Sequence, residues 1–253
     1  MRFVRYQLAS SAPSYGWLLE DQIGAVEGNI FGEYRRLEAD LALNRARLLA
    51  PVEPSKIICV GRNYVEHAQE HGVEVPEIPL LFLKPPSSLI GANDKIILPP
   101  QSAQVEHEAE LAVVISRRAR WISPEDAMGF VFGYTIANDV TARDIQRKDG
   151  QWTRGKGFDT FCPLGPWIET DLDTADVLIS CRVNQELRQM GSTRDMVFTI
   201  RELITFASSV MTLMPGDVIL TGTPAGVGPL LSGDRVEVTI DGIGTLSNPV
   251  SKQ

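Results

Sequence analysis

The sequence predicts a mixed α+β fold dominated by β-structure, with a small β-rich N-terminal subdomain over residues 1–53 and a larger domain over 54–253. Short apolar segments with strand periodicity outnumber segments with helical periodicity. Many of these segments are separated by turns that contain some of the 21 glycines. Pro51 and Pro54 interrupt the pattern and mark a short linker between the two parts.

The N-terminal subdomain begins with alternating segments. Residues 2–6 and 16–19 alternate between polar and apolar side chains or carry short apolar runs, which is typical of strands. Residues 33–49 mix polar and apolar side chains at a spacing that we interpret as a helix. The subdomain is therefore expected to contain several strands and one helix.

The larger domain opens with a buried strand over residues 57–61. Asn63 follows as the predicted N-cap of a short helix that runs through His71 and that Gly72 ends. Apolar runs predict two further strands, over residues 80–84 and 95–98.

The second half of this domain continues the alternation of strands and short helices. Ser123 precedes Pro124, a combination that favours the start of a helix. Thr199 is the predicted N-cap of a helix that extends to Met214. The other predicted elements are strands over residues 131–139, 177–184 and 217–220, a polar helical turn from Thr141, and a closing hairpin over 235–246.

The composition excludes several classes of function. A net charge of −8 and a pI near 5.0 argue against nucleic acid and anionic membranes as partners, because both require a basic surface. A small anionic substrate stays possible, since a bound metal can reverse the local field. The chain has no apolar run of about 20 residues and no pattern of a signal peptide, so we expect a cytoplasmic protein. Cys59, Cys162 and Cys181 lie in apolar surroundings, and we interpret them as reduced residues of the core.

Two carboxylates stand close together at the start of the apolar run over residues 107–115. Side chains alternate along a strand, so Glu108 and Glu110 are expected on the same face. An isolated pair of this kind is more often an exposed strand edge. If the face is buried, the two charges repel unless a hard divalent cation neutralises them. The three histidines are badly spaced for a zinc site, which favours carboxylate oxygens as ligands.

For each of the other candidate residues, the sequence taken alone gives only weak evidence of function. Asp139 ends a predicted strand, although such a residue is often only a turn or a cap. Lys156 lies between two glycines and could reach an anionic group, or could simply lie in a flexible loop. His67 and Glu70 share a helix face and could form a general-base pair or be surface residues. The glycine-rich loop 221–228 could bind a carboxylate but lacks the ending of a phosphate-binding loop.

The order of these motifs closely resembles that of the fumarylacetoacetate hydrolase family. The match runs from about residue 56 to the C-terminus, and the first 50 or so residues resemble the small N-terminal domain of many bacterial members. The motifs that carry it are Gly61-Arg62-Asn63-Tyr64 with His67 and Glu70, Phe82-Leu83-Lys84-Pro85, His107-Glu108-Ala109-Glu110-Leu111, Asn138-Asp139 through Arg143-Asp144, Lys156-Gly157-Phe158-Asp159, and Gly216-Asp217 through the loop 221–228.

The resemblance implies a β-sandwich roll for the catalytic domain, assembled as a homodimer. It also implies one Mg²⁺ or Mn²⁺ held by Glu108, Glu110 and Asp139, a hard oxygen-only site that suits those ions. Family substrates are 2-oxo acids or 1,3-diketo acids, whose adjacent oxygens chelate the ion. A C–C bond would then break to leave a metal-bound enolate.

Further roles follow from the same resemblance. The helix after Gly61 would close as a lid, in which Glu70 orients His67 and His67 deprotonates the attacking water. Lys156 would offset negative charge on the substrate. The positions expected to bind substrate oxygens or a carboxylate are Arg62, Lys84, Gln146 and Thr223.

The resemblance leaves the reaction open. Residues 147–152 are similar to the smaller bacterial hydrolases and isomerases and differ from the eukaryotic hydrolase that names the family, so that enzyme's own substrate is not expected here. The same chemistry serves C–C hydrolysis, which we favour, and also isomerisation or tautomerisation of the 5-carboxymethyl-2-hydroxymuconate or 2-hydroxyhepta-2,4-diene-1,7-dioate type in aromatic catabolism. Decarboxylation of oxaloacetate is a further alternative. Outside enzymes, a non-catalytic 2-oxo acid binding protein is the alternative, but the intact residue set disfavours it.

Overall fold

The computed structural model of the chain describes residues 1–9, 11–70 and 72–253, in which strands predominate. The strands are β1 Arg2–Gln7, β2 Ser14–Leu19, β3 Gln22–Gly28, β4 Tyr34–Ala42, β5 Arg47–Leu48, β6 Ile57–Gly61, β7 Leu80–Lys84, β8 Leu89–Ile90, β9 Ile96–Leu98, β10 Val105–His107, β11 Ala109–Ile115, β12 Val131–Asn138, β13 Thr141–Ala142, β14 Cys162–Glu169, β15 Leu178–Val183, β16 Glu186–Ser192, β17 Val218–Leu220, β18 Gly228–Pro229, β19 Arg235–Ile240 and β20 Gly244–Lys252. The α-helices are α1 Val65–Glu70, α2 Arg143–Asp149, α3 Thr153–Lys156 and α4 Ile200–Val210.

One twelve-stranded sheet runs through the whole molecule. Its main path is β4-β3-β2-β1-β14-β12-β11-β17-β6-β7, with β5 paired to β1 and β8 paired to β14. Most pairs are antiparallel, whereas β17–β6 and β14–β8 are parallel. Strand β1 pairs with β14, so the N-terminal strands extend the sheet of the larger domain. The domain boundary after residue 53 stays a prediction.

Two smaller sheets complete the β-structure. A five-stranded sheet has the order β16-β15-β19-β20-β9, and a three-stranded sheet has the order β13-β10-β18. Every residue of β11 is buried, which fits its central position in the large sheet. Leu111 and Val113 belong to a core cluster shared with the five-stranded sheet and α4, whereas Ala112 and Val114 belong to a second cluster with Phe3. The alternation of strand side chains therefore places β11 between two cores.

Helix α4 confirms the predicted cap. The Thr199 side chain accepts a hydrogen bond from the backbone of Glu202, and the Glu202 side chain accepts one from the backbone of Thr199, which forms a capping box. The helix ends at Val210, four residues earlier than predicted, because the backbone is extended at Met211. Its apolar face packs into the core shared with the five-stranded sheet.

Two predicted helices are wrong. Residues 33–49 form β4, a 3-10 turn over Leu43–Arg45 and β5. Pairing of β4 with β3 at the edge of the large sheet accounts for this, because tertiary pairing outweighs a weak helical pattern. After Ser123 the chain makes a turn, and only a 3-10 helix over Ala127–Phe130 follows.

Asn63 does not cap the first helix. Helix α1 begins at Val65, two residues later, and ends at Glu70; His71, which the predicted helix included, lies outside the described residues. The Asn63 amide nitrogen instead donates to the carbonyl oxygens of Phe198 (3.0 Å) and Thr221 (2.8 Å). This residue therefore anchors the start of the helix to two other loops.

The three cysteines are buried and unpaired, as the sequence predicts. Burial raises the pKa of Cys162 and that of Cys181 to about 12, which keeps both thiols protonated at neutral pH. Within residues 1–9, 11–70 and 72–253, none of the helices is long and apolar enough to cross a membrane.

Candidate metal centre and active site

Three buried carboxylates converge at the meeting point of two sheets. Glu108 lies between β10 and β11, Glu110 is the second residue of β11, and Asp139 directly follows β12. One side-chain oxygen from each lies within 4.8 Å of the others. The sequence predicts one continuous strand through Glu108. In the structure the strand is interrupted at this residue, where the chain passes from the three-stranded sheet to the large sheet. Hydrogen bonds from the Glu108 amide to the Asn138 side chain (2.9 Å) and from the Asp139 amide to the Glu108 carbonyl (2.8 Å) hold this break.

Three cationic side chains contact this carboxylate group. The Lys156 ammonium bridges Glu108 Oε2 (2.6 Å) and Asp139 Oδ2 (2.7 Å). Lys84 Nζ lies 2.5 Å from Asp139 Oδ1, and Arg143 Nη2 lies 2.5 Å from Glu108 Oε1. The ion pairs are buried, so water screens them little.

The two glutamates differ in environment. Burial by itself would raise the pKa of Glu108, but the charges of Lys156 and Arg143 outweigh it and hold that pKa well below its usual range. Burial raises the pKa of Glu110, and the nearby charges of Asp139 and Glu108 raise it further. The carboxylate of Glu110 accepts a hydrogen bond from the Gly222 amide (2.6 Å) but has no ion pair among the described residues. Negative charge at Glu110 is therefore the least compensated in the group.

This donor set fits a hard divalent cation. All three donors are carboxylate oxygens, which Mg²⁺ and Mn²⁺ prefer, and the group contains no histidine or cysteine that would favour zinc. A cation beside Glu110 would also relieve the repulsion among the three carboxylates. The residues thus could hold the ion that the sequence led us to expect.

A cavity of about 300 Å³ opens beside the carboxylates. Glu108 and Glu110 line it, and so do most of the other candidate residues from the sequence: Arg62, His67, Gln146, Lys156 and Thr223. Lys84 does not line it. Its side chain is fully buried and donates to Asp139 and to the Val140 carbonyl (3.1 Å). Lys84 therefore contacts one of the three carboxylates, and its expected contact with a substrate carboxylate stays a prediction.

Helix α1 brings a histidine and a glutamate to the edge of the cavity. His67 Nδ1 lies 3.4 Å from Glu70 Oε2, which is the i to i+3 spacing along one helix face. His67 is buried and lines the cavity, whereas Glu70 does not line it. Both Glu70 oxygens accept from the Gly226 amide, at 3.2 and 3.3 Å. Burial raises the pKa of Glu70 although these backbone hydrogen bonds oppose the shift.

Arg143 has a contact role that sequence analysis missed. Its guanidinium donates to Glu106 (2.7 Å), to Glu108 and to the side-chain oxygen of Gln146 (2.7 Å). It therefore ties a candidate metal ligand to a candidate substrate-binding residue. The only sequence signal was its place in the motif that follows Asp139, because Glu106 and Glu108 are distant from it in sequence.

Aromatic and cationic side chains also line the cavity. The Arg62 guanidinium stacks on the Trp152 ring at 5.4 Å, and Trp152 packs edge-on against Phe82 at 5.1 Å. Arg147 also lines the cavity. Neither Arg62 nor Arg147 forms an ion pair with another described residue, so both guanidinium groups remain available to an anionic ligand.

Several known proteins are similar to this chain. The uncharacterized protein MJ1656 of Methanocaldococcus jannaschii is 53% identical over 80% of this chain and 85% of its own length. The mitochondrial oxaloacetate tautomerase Fahd2a of Rattus norvegicus is 47% identical over 85% of this chain and 74% of its own.

Solved structures share the whole fold. The 5-carboxymethyl-2-hydroxymuconate delta-isomerase from Mycobacterium smegmatis has a TM-score of 0.93 at 46% identity and covers 100% of both chains. The maleylpyruvate hydrolase from Sphingobium sp. SYK-6, in complex with manganese(II) ion and pyruvate, has a TM-score of 0.81 at 34% identity over 100% of this chain and 99% of its own.

Two family patterns together span nearly the whole chain. Residues 1–51 match the pattern described as Rv2993c-like, N-terminal. Residues 56–251 match the pattern described as fumarylacetoacetate (FAA) hydrolase C-terminal. From these matches, and from the shared fold, the chain belongs to the fumarylacetoacetate hydrolase family and carries the Rv2993c-like N-terminal domain.

Proposed function

We propose that the protein is a divalent-metal-dependent hydrolase that cleaves a C–C bond in a 1,3-diketo acid of the acylpyruvate or fumarylpyruvate type. The observation that carries this proposal is the convergence of Glu108, Glu110 and Asp139 within 4.8 Å, beside a cavity that His67 also lines. The manganese(II) and pyruvate of the related maleylpyruvate hydrolase structure support it. The proposed ion is Mg²⁺ or Mn²⁺.

The chain's own residues account for the proton transfers. Glu70 faces Nδ1 of His67, and we assign Nε2 as the ring nitrogen that takes a proton from water. The water oxygen attacks the distal carbonyl carbon, and the C–C bond breaks with its electron pair left on the pyruvate part as an enolate. His67 then gives the proton to the enolate carbon released by the bond cleavage, which yields pyruvate and a free acid. When bound, the metal ion supplies Lewis-acid polarisation of the substrate's adjacent oxygens.

Other cavity residues would bind and orient the substrate. Lys156 contributes positive charge close to the carboxylates, while the side chain of Gln146 and the backbone of Thr223 offer polar groups to substrate oxygens. Arg62 and Arg147 both line the cavity and favour a substrate with a second anionic group. A diacid such as fumarylpyruvate therefore fits better than acetylpyruvate.

A second candidate function is tautomerisation of a 2-oxo diacid. The observation that favours it is the 47% identity to a rat protein named as an oxaloacetate tautomerase, which exceeds the 34% identity to the maleylpyruvate hydrolase. Here His67 would move a proton between the carbon and the oxygen of the same substrate, without activating water. The pair of arginines suits oxaloacetate equally well.

One assay separates these candidates. Oxaloacetate, acetylpyruvate and fumarylpyruvate are followed by ultraviolet absorbance with Mg²⁺ and then with excess chelator, and pyruvate is measured in each. Metal-dependent loss of a diketo acid with stoichiometric pyruvate and free acid supports the hydrolase. Loss of the enol absorbance without pyruvate supports the tautomerase, and pyruvate from oxaloacetate alone supports a decarboxylase. No change with any substrate contradicts the proposal.

We further propose that the protein is a homodimer in the cytoplasm. Large apolar side chains remain exposed on the single chain, including Trp121 at 72% and Leu231 at 66%, and a subunit interface would cover some of them. Light scattering coupled to size exclusion should give twice the chain mass of 27.9 kDa. A monomer mass at micromolar concentration would contradict the assembly.

A further inference from the structure

Gln189 on β16 is a buried amide at the junction of the three sheets. Its Oε1 accepts from His107 Nδ1 (2.8 Å) and from the Ala109 amide (3.1 Å), and its Nε2 donates to Thr223 Oγ1 (2.7 Å) and to the Pro224 carbonyl (2.8 Å). The reverse orientation of the amide would place its NH₂ group against the Ala109 N–H, so the network fixes this assignment. All four hydrogen-bonding positions of the side chain are thus used.

The contacts of Gln189 link structures that are distant in sequence. Gln189 belongs to the five-stranded sheet, His107 to the three-stranded sheet, and Ala109 to β11 of the large sheet. Ala109 separates the two glutamates of the carboxylate group. Thr223 belongs to the glycine-rich loop after β17 and lines the cavity, whereas Gln189 does not.

Gln189 also restricts the Thr223 hydroxyl. That hydroxyl accepts from Gln189 Nε2 and donates to the Ala109 carbonyl at 2.8 Å. Its single proton is therefore used within the protein, and its rotation is fixed from two sides. These two hydrogen bonds hold the loop against Ala109, the residue between Glu108 and Glu110, and both would be lost if the loop moved.

We propose that Gln189 is a positioning residue of the active site, which holds Thr223 and its loop in place for substrate binding. The inference rests on the proposed function only in that a 2-oxo acid is taken to bind beside Thr223. Gln189 does not touch the carboxylates, so its loss should weaken binding of the organic ligand while binding of the metal persists. A residue that merely stabilises the core would not separate these two affinities.

The test uses the full chain with Gln189→Met, a substitution of similar size without hydrogen bonds, and Gln189→Glu, which keeps acceptors for His107 and Ala109 but loses both donors. Met190→Gln is the matched control, since Met190 is the exposed neighbour on the same strand. Calorimetry measures Mn²⁺ binding, and then pyruvate binding to the Mn²⁺-loaded protein. Thermal unfolding shows that each variant is folded at the assay temperature.

We expect Gln189→Met and Gln189→Glu to bind Mn²⁺ within about threefold of the wild type and to bind pyruvate at least about tenfold more weakly. Met190→Gln should match the wild type in both. Wild-type pyruvate affinity in Gln189→Met, or in Gln189→Glu, would overturn the inference, as would a wild type that binds no pyruvate. A wild type that binds pyruvate but turns over no diketo acid would contradict the proposed reaction and leave this inference to be decided by the variants.

Discussion

At the scale of single residues, Glu108 and Glu110 show how two identical side chains acquire different properties. Glu108 has cationic partners in Lys156 and Arg143, whereas Glu110 accepts only a backbone hydrogen bond, from Gly222, among the described residues. Coulombic repulsion from its neighbours makes the ionised form of Glu110 costly in the metal-free protein. The residue that a metal ion would compensate most is therefore also the one that destabilises the metal-free fold.

Glu110→Gln tests this trade-off. The amide oxygen can still accept from Gly222, but the charge that attracts the ion is lost. We expect Mn²⁺ affinity to fall by more than about 100-fold. This exceeds the loss of roughly 10–100-fold that is typical when a residue only hydrogen-bonds to a metal-coordinating side chain. Calorimetric titration with Mn²⁺ measures this, with Glu33→Gln at an exposed site as the control. Unchanged affinity would remove Glu110 from the ligand set.

The same substitution should alter the pH dependence of stability. The pKa of Glu110 in the folded protein is raised above its ordinary value of 4.5. The folded state therefore binds the Glu110 proton more tightly than the unfolded state does. The stability gained from this proton is fully present below pH 4.5 and is lost as the pH rises through the pKa of the folded protein. Without metal, Glu110→Gln should have a higher free energy of unfolding than the wild type, and this difference should grow as the pH rises above 4.5. A gain that shrinks with pH in urea titrations would refute the shift.

His67→Ala tests the proposed base. His67 lines the cavity but lies outside the carboxylate group, so Mn²⁺ should still bind. Turnover should fall by about 10²–10⁴, the usual contribution of general acid–base catalysis. The control is Glu66→Ala, on the exposed side of the same helix. Full turnover of His67→Ala in the ultraviolet assay would show that another group activates water.

The carboxylates were predictable from the sequence, and their partners were not. Glu108, Glu110 and Asp139 lie at strand ends that the apolar pattern marks, and their order matches a known family. Lys84 was named as a candidate for the substrate carboxylate from the family resemblance, and its contact with Asp139 was not foreseen. Its burial against Asp139 depends on the placement of β7 beside β6 in the large sheet. Gln189 gave no signal, since its contacts come from two other sheets and from the loop after β17.

At the scale of elements, predictions held where local signals and tertiary contacts agree. Strands β6 and β7 were predicted with their observed bounds, because their apolar runs end at glycine or proline. β4 was predicted as a helix, because an edge strand that faces solvent has a weak alternation. Asn63 was assigned as a cap from its residue type, but its side chain is used for tertiary contacts with Phe198 and Thr221.

Helix α1 offers a prediction at this scale. It is a short helix, and Glu70 links it to the loop 221–228 through the Gly226 amide. Glu70→Ala removes this link, whereas Glu70→Gln keeps an acceptor. We expect amide hydrogen exchange in α1 to accelerate by roughly tenfold in Glu70→Ala and to change little in Glu70→Gln, as the net value of one hydrogen bond implies. Equal exchange in wild type and Glu70→Ala would show that other contacts hold the helix.

At the scale of the whole molecule, the N-terminal strands are joined to the rest of the chain by more than the linker. Strand β1 pairs with β14, and Phe3 and Val52 share a core cluster with Leu164 and the central strands. Asp217, just before β17, accepts from the Ser55 amide (3.0 Å) and pairs with Lys56, so the linker itself is fixed to the large sheet. These contacts favour one cooperative unit over two independent domains.

Metal binding should therefore stabilise the N-terminal strands, although no candidate ligand lies there. Mn²⁺ at about 100 times its Kd adds about 2.7 kcal/mol to the unfolding free energy, which corresponds to roughly 100-fold slower exchange of amides that open only on global unfolding. If the molecule unfolds as one unit, the slowest amides of β1–β3 should gain the same protection as those of β11.

Hydrogen exchange with mass spectrometry, with and without Mn²⁺, measures both regions in one experiment. The Glu110→Gln variant provides the control, because it should not bind Mn²⁺ at the same concentration and its amide hydrogen exchange should therefore not change when the ion is added. Protection confined to residues 54–253 would show that the N-terminal strands open independently, in spite of the shared sheet. Protection across β1–β3 would instead mean that the β1–β14 pairing and the common core transmit the full binding free energy of a site in another part of the large sheet.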